Sequence, residues 1–91
     1  SGGLQIGDYV SISAGVQIYT HDSVDWALSG GVEKYDTKPT HIGDNTYIGP
    51  NSIISKGVTV GSRCVIGAQS LVKSNVNDGQ RVAGVPAKKI K

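Results

Sequence analysis

Aliphatic residues fall on every sixth position of this chain: Ile6, Ile12 and Ile18, then Ile42, Ile48, Ile54, Val60, Ile66 and Val72. Four places after each of these except Ile18 comes a small or β-branched residue, at Val10, Val16, Thr46, Ser52, Val58, Cys64, Ser70 and Val76. Gly follows the aliphatic position at Gly7, Gly43, Gly49, Gly61 and Gly67, giving blocks such as "IGDYVS", "IGDNTY", "VGSRCV" and "IGAQSL". A helix needs apolar spacings of three and four, and a simple half-buried strand alternates at two. A period of six fits a short strand followed by a tight turn, with the aliphatic residue inside and the small residue in a crowded corner. Three blocks then close one triangular coil. Stacked coils pair strands in parallel about 4.8 Å apart and bury a column of aliphatic side chains along the axis. The pattern predicts an all-β solenoid of about three coils.

The period breaks once. After Ile18 come Tyr19, Thr20 and His21, and no full block returns until Ile42. The spacing from 18 to 42 is a multiple of six, so the pattern resumes in phase, as if a loop had been inserted at a corner. The reading divides a single domain, 1–91, into a coil at 4–19, an extruded loop at 20–41, coils at 42–77 and a closing tail at 78–91. Long loops in compact domains are mostly functional. This one holds the only Trp, Trp26, and a Gly pair at Gly30 and Gly31.

Composition narrows the picture. Phe and Met are absent and 13 of 91 residues are Gly, so the core has to come from Ile, Val, Leu, Ala and small polar residues. One cysteine, Cys64, excludes an internal disulfide framework and makes a reducing, cytoplasmic setting the expectation. No apolar stretch approaches the length of a membrane span. A net charge of +2 with few aromatic residues argues against nucleic acid as a partner. The first residues, Ser-Gly-Gly, leave a processed or truncated chain open.

The repeated "[IV]-G-x-x-[STVC]-x" block resembles the hexapeptide-repeat transferases, and the closing "V-x-x-G-x-P-A-[KR]-x-[IL]" segment resembles theirs at Val82, Gly84, Pro86, Ala87, Lys88 and Ile90. The resemblance implies a left-handed parallel β-helix and a homotrimer with sites between subunits. The galactoside, maltose and xenobiotic acetyltransferases of that family begin an extruded loop with a catalytic His, where this chain has "YTHD". His21 is the candidate general base: an imidazole that titrates near neutrality can take the proton of a sugar hydroxyl as it attacks a thioester. Asp22 and Asp25 are the nearby carboxylates available to orient it, and sequence does not choose between them. Asp22 and Trp26 are candidate acceptor-binding residues, Trp26 having packing as its plainer role. His41, directly before a block, reads as structural, and Cys64 as buried and inert.

The resemblance also implies acetyl-CoA as acyl donor, with no metal, lying along small residues between prisms. Gly49, Gly67 and Ala68 suit that path, while Lys73, Lys88 and Lys91 match positions that are polar or basic in the family and could meet the phosphates. Pro50 has no N–H to offer and Tyr47 stands where Trp is common. The implied activity is O-acetylation of a sugar or saccharide-type acceptor by direct transfer in a ternary complex. Another reading is a non-catalytic β-helix assembly module or a truncated transferase fragment. A metal-dependent carbonic anhydrase of similar winding is disfavoured, because it needs three His and this chain has two.

Overall fold

The computed structural model describes residues 3–34 and 36–90. Its strands are two or three residues long and run β1 (Leu4–Ile6), β2 (Ser11–Ile12), β3 (Gln17–Ile18), then, after the excursion, β6 (Thr40–Ile42), β7 (Tyr47–Ile48), β8 (Ile53–Ile54), β9 (Thr59–Val60), β10 (Val65–Ile66) and β11 (Leu71–Val72). Within the excursion lie β4 (His21–Asp22), a single helical turn α1 (Val24–Leu28) and β5 (Asp36–Thr37). The chain closes with β12 (Arg81–Ala83) and β13 (Lys88–Ile90).

β1, β2 and β3 go to three different sheets, and β6, after the excursion, returns to the first. The sheets run β1-β6-β9, β2-β7-β10-β12-β13 and β3-β8-β11. All pairings between coils are parallel, with Ile42 opposite Val60, Ile48 opposite Ile66 and Ile54 opposite Val72. Three hexads therefore make one 18-residue coil, and the molecule is elongated, 43 × 25 × 23 Å. No described helix is long and apolar enough to cross a membrane.

Both six-residue combs point inward. Ile48, Ile54 and Ile66 are wholly buried, and the small-residue comb is buried with them at Thr40, Thr46, Ser52, Val58, Cys64, Ser70 and Val76. The polar members of that comb are there because a corner carbonyl waits for each hydroxyl. Thr46 Oγ1 donates to Gly61 O at 2.9 Å, Ser52 Oγ to Gly67 O at 2.9 Å and Ser70 Oγ to Gly67 O at 2.7 Å. Every buried side-chain polar atom described has a partner, as burial demands.

Corners set the two remaining sequence features. Between the first and second sheets the chain turns through left-handed residues, Tyr9, Asn45 and Arg63, with φ of 57°, 56° and 57°. The turns stack by backbone bonds, Asn45 N–H to Asp8 O and Arg63 N–H to Asp44 O, both 2.9 Å. At the corner between the second and third sheets, a Cβ on Gly49 would lie 2.7 Å from Ala68 N, so only Gly lets the next coil sit that close.

Two departures from the hexad count are informative. The excursion ends at Thr40, which is 0% exposed, two residues before the aliphatic comb resumes. Ile6 lies opposite Ile42, so the insertion adds the length of one further coil to the normal 18-residue step. At the other end the tail does not leave the stack where the period fails. Val76 bridges Val60 and Val82 lies opposite Ile66, a step of sixteen. The chain drops two residues after Val72 and the small-residue comb takes over the inward positions. β13 then pairs antiparallel to β12 and finishes that sheet. At the opposite end Ile6 and Ile12 of the first coil are 43% and 41% exposed.

Candidate active site

The excursion leaves the corner between the third and first sheets and comes back to it. Its stem is a two-stranded antiparallel pair, β4 against β5, with His21 opposite Thr37 and Asp22 opposite Asp36. Lys38 N–H donates to Thr20 O at 2.9 Å and closes the stem. Below it, Thr40 Oγ1 donates to Tyr19 O at 2.8 Å and accepts from Gly57 N–H at 3.0 Å. The buried threonine thus ties both ends of the excursion to the second coil.

Where the stem meets that coil, a cleft of about 660 Å³ opens, lined by Tyr19, His21, Asp22, Ser23, Val24, Ile53, Ser55 and Lys56. Lys56 is the hub of its charges. Its Nζ is 2.9 Å from Asp22 Oδ2 and also bonds Asp36 Oδ2, one carboxylate from each strand of the stem. The ammonium beside it, and then the N–H of Val24 at 3.1 Å, hold the Asp22 carboxyl below its ordinary range. The two carboxylates, Asp36 first, push the Lys56 ammonium above its own. Asp22 is thereby engaged with lysine, while Asp25 sits in the first turn of α1.

The other expected site residues divide. His21 and Asp22 are brought together at the cleft. Trp26 is in α1, outside the cleft lining, with its ring packed about 3.5 Å from where a side chain on Gly31 would begin. His41 is half-buried in the middle of the first sheet between Gln5 and Thr59; it lines a separate cleft of about 700 Å³ with Asp44 and Asp78. Cys64 is buried.

Gly49, Gly67 and Ala68 stack on the far edge of the third sheet from His21. Gly49 N–H donates to Ile66 O and Gly67 N–H to Val82 O, both at 2.8 Å. Those two amides are spent holding the coils together, whereas Ala68 is exposed at the corner. Lys73 is exposed one coil above Ser55, whose N–H donates to Val72 O at 2.9 Å. Lys88 is exposed in β13 opposite Ala83. Lys91 lies outside the described residues. Among the described residues no group of three His, Cys, Asp or Glu is placed to hold a metal ion.

Sequence reasoning missed Lys56 and Asp36. The register contained the signal for Lys56: Ile54 lies opposite Ile18, so counting two residues on in each coil places Lys56 beside Thr20, where the excursion starts.

Comparison with known proteins adds independent information. Residues 39–74 match the family described as bacterial transferase hexapeptide (six repeats). The chain is similar to Protein CapG of Staphylococcus aureus, 44% identical over 89 residues that cover 97% of this chain and 52% of CapG. It spans, then, about half the length of that relative. Among solved structures it resembles AntD, an N-acyltransferase from Bacillus cereus in complex with dTDP and 3-hydroxybutyryl-CoA, with a TM-score of 0.86 and 26% identity, covering 100% of this chain and 52% of AntD. It also resembles a galactoside acetyltransferase in complex with coenzyme A, with a TM-score of 0.83 and 33% identity, covering 97% of this chain and 44% of that one.

Proposed function

We propose that this chain is a member of the bacterial transferase hexapeptide family, whose description residues 39–74 match, and that it takes part in moving an acetyl group from acetyl-CoA to a hydroxyl of a sugar or saccharide-type acceptor. In this reading the winding is the left-handed parallel β-helix, the active unit is a cytoplasmic homotrimer, and the sites lie between subunits. The observation that carries the proposal is His21 in the lining of a cleft built where the one excursion joins the coils. The coenzyme A bound to the galactoside acetyltransferase and the acyl-CoA bound to AntD support the choice of donor.

The mechanism follows from the groups present. His21 takes the acceptor hydroxyl's proton as the oxygen attacks the thioester carbonyl. The tetrahedral intermediate collapses by breaking the carbon–sulfur bond, and the imidazolium returns the proton to the departing thiolate. Acetyl ester and coenzyme A are the products, and His21 ends neutral. General-base help of this kind is worth roughly 10²- to 10⁴-fold. The only thiol, Cys64, is buried, which disfavours an acyl-cysteine intermediate and supports direct transfer in a ternary complex. Along the donor path Gly49 and Gly67 keep the coils close and leave Ala68 at the surface, with Lys73 and Lys88 available to the phosphates. Asp22, which lines the cleft, and Trp26, in α1 beyond it, are the residues assigned to the acceptor in this reading. An amine acceptor is the second reading, favoured by the similarity to AntD; the same base and donor serve it.

Calorimetric titration with acetyl-CoA, followed by an acceptor screen on the wild-type chain and His21→Ala, tests this. The expected result is about one donor site per chain in both proteins, with transfer at least about 100-fold slower in the variant. Donor binding with undiminished transfer by His21→Ala removes His21 from the base role. No donor binding by the folded chain favours the non-catalytic assembly module or a fragment lacking part of its site.

A further inference from the structure

The stem that carries His21 is short. Each of its strands has two residues, and none of those four is buried. Such a pair has little packing of its own to hold it against the second coil. A two-stranded hairpin alone in water is at best marginal. What fixes it is a small set of polar ties, of which Thr40 anchors the base and Lys56 reaches the strands themselves. The two carboxylates face each other in register, Asp22 opposite Asp36, so a single ammonium grips both strands at the same level. Lys56 comes from the coil body, where its side chain is 21% exposed.

We propose that Lys56 is the positioning residue of this site, clamping Asp22 and Asp36 so that His21 faces the cleft. His21, Asp22 and Lys56 all line the cleft, so tying the stem to the coil body through Asp22 fixes where its neighbour His21 sits against that cleft. The proposal rests on the reading of His21 as base. It also gives the Asp beside the histidine a different task from orienting the imidazole directly: Asp22 orients the strand, and the strand orients the ring. With Lys56 present the three charged groups at the stem sum to one negative charge. Without it two carboxylates repel each other across the pair, and the stem loses both its tie and its register.

The test compares Lys56→Met and Lys56→Arg with wild type in three readouts: steady-state transfer, acetyl-CoA affinity by calorimetry, and hydrogen exchange of the Val24 and Lys38 amides. Lys56→Met should lower kcat on the order of 10²-fold, the loss expected when a catalytic group is displaced by about an ångström. Acetyl-CoA affinity and the protection of Ile48, Ile54 and Ile66 amides should stay as in wild type, while Val24 and Lys38 exchange faster. Lys56→Arg should recover most of the rate, because a guanidinium can also bridge two carboxylates. Unchanged kcat in Lys56→Met overturns the proposal, as does a loss confined to acetyl-CoA affinity or an arginine variant no better than methionine. If the wild-type chain neither binds the donor nor turns over, the transferase reading fails separately. The clamp is then judged on exchange alone: faster exchange in Lys56→Met upholds it as a structural tie, and unchanged exchange overturns it.

Discussion

Gly49→Ala tests the spacing of the coils at one atom. Gly49 has an ordinary backbone conformation, so the added methyl group brings steric cost without φ strain. Its Cβ would lie 2.7 Å from Ala68 N, 2.9 Å from Ala68 Cα and 3.0 Å from Gly67 C, where ordinary contact begins at 3.4 Å. All three are backbone atoms and no rotamer change relieves them. The corner has to open by about 0.7 Å, and the bond from Gly49 N–H to Ile66 O, now 2.8 Å, stretches to about 3.5 Å, beyond the usual limit near 3.2 Å. Overpacking of this kind costs about 1–3 kcal/mol and a weakened backbone bond about 0.5–1.5 kcal/mol. The stiffer unfolded chain returns about 0.4–1 kcal/mol. The net expectation is a loss of about 1–3 kcal/mol, a fall in Tm of roughly 5–20 °C for a chain of this size. Thermal and urea unfolding at one fixed protein concentration measure it, since any self-association adds its own stability. The Ala68→Gly background supplies the internal check, because removing the Ala68 side chain leaves the clashing backbone atoms in place and should not rescue. A Gly49→Ala chain as stable as wild type, or full rescue by Ala68→Gly, would refute the spacing argued here.

Two further outcomes follow from the same structure. Asp22 is held below its ordinary pKa and Lys56 above its own. The contribution of Asp22 is therefore complete above about pH 4 and lost as pH falls through the lowered value, and that of Lys56 is complete below about pH 10.4 and lost as pH rises through the raised one. Trp26, the only tryptophan, reports on the excursion: its fluorescence should hold steady between those limits and change below about pH 4 before far-UV circular dichroism does. A fluorescence response that stays flat until far-UV circular dichroism itself changes contradicts the clamp's acid limb. Ile54→Ala empties a wholly buried position between Ile18 and Val72 and should cost about 2–5 kcal/mol, read by urea unfolding; a loss below about 1 kcal/mol would mean that the central column is not packed as described.

The hexad made most of the architecture legible because each position has a fixed fate. The residues at 42, 48, 54, 60, 66 and 72 are all inside, and the hydroxyls on the second comb are inside with partners. What the count could not show is phase. Val76 continues the small-residue comb in sequence but stands opposite Val60 of the aliphatic comb in space, because dropping two residues at a corner moves the next aliphatic position from 78 to 76, where the small-residue comb already stands. End effects were equally invisible: Ile6 reads the same as Ile48, yet one is 43% exposed and the other 0%. At the site, the break in period located His21, and the register alone could have put Lys56 beside the stem. The pairing of Asp22 with Lys56 required the return strand, since Asp36 is brought opposite Asp22 by the excursion's own folding. Trp26 shares the excursion with His21, and the helical turn that carries it outside the cleft lining could not be read from the sequence pattern.

The closing hairpin of β12 and β13 gives one of the three sheets, the second, an edge unlike those of the other two. At that end the parallel sheet meets an antiparallel strand bearing Lys88 and Lys89, a charged edge of the kind that discourages further pairing. At the other end β1, β2 and β3 each have a strand on only one side among the described residues, beside half-exposed Ile6 and Ile12. Any further strand that adds to the second sheet beyond β13 therefore has to meet two lysines, whereas the first and third sheets end in β9 and β11 without such a strap.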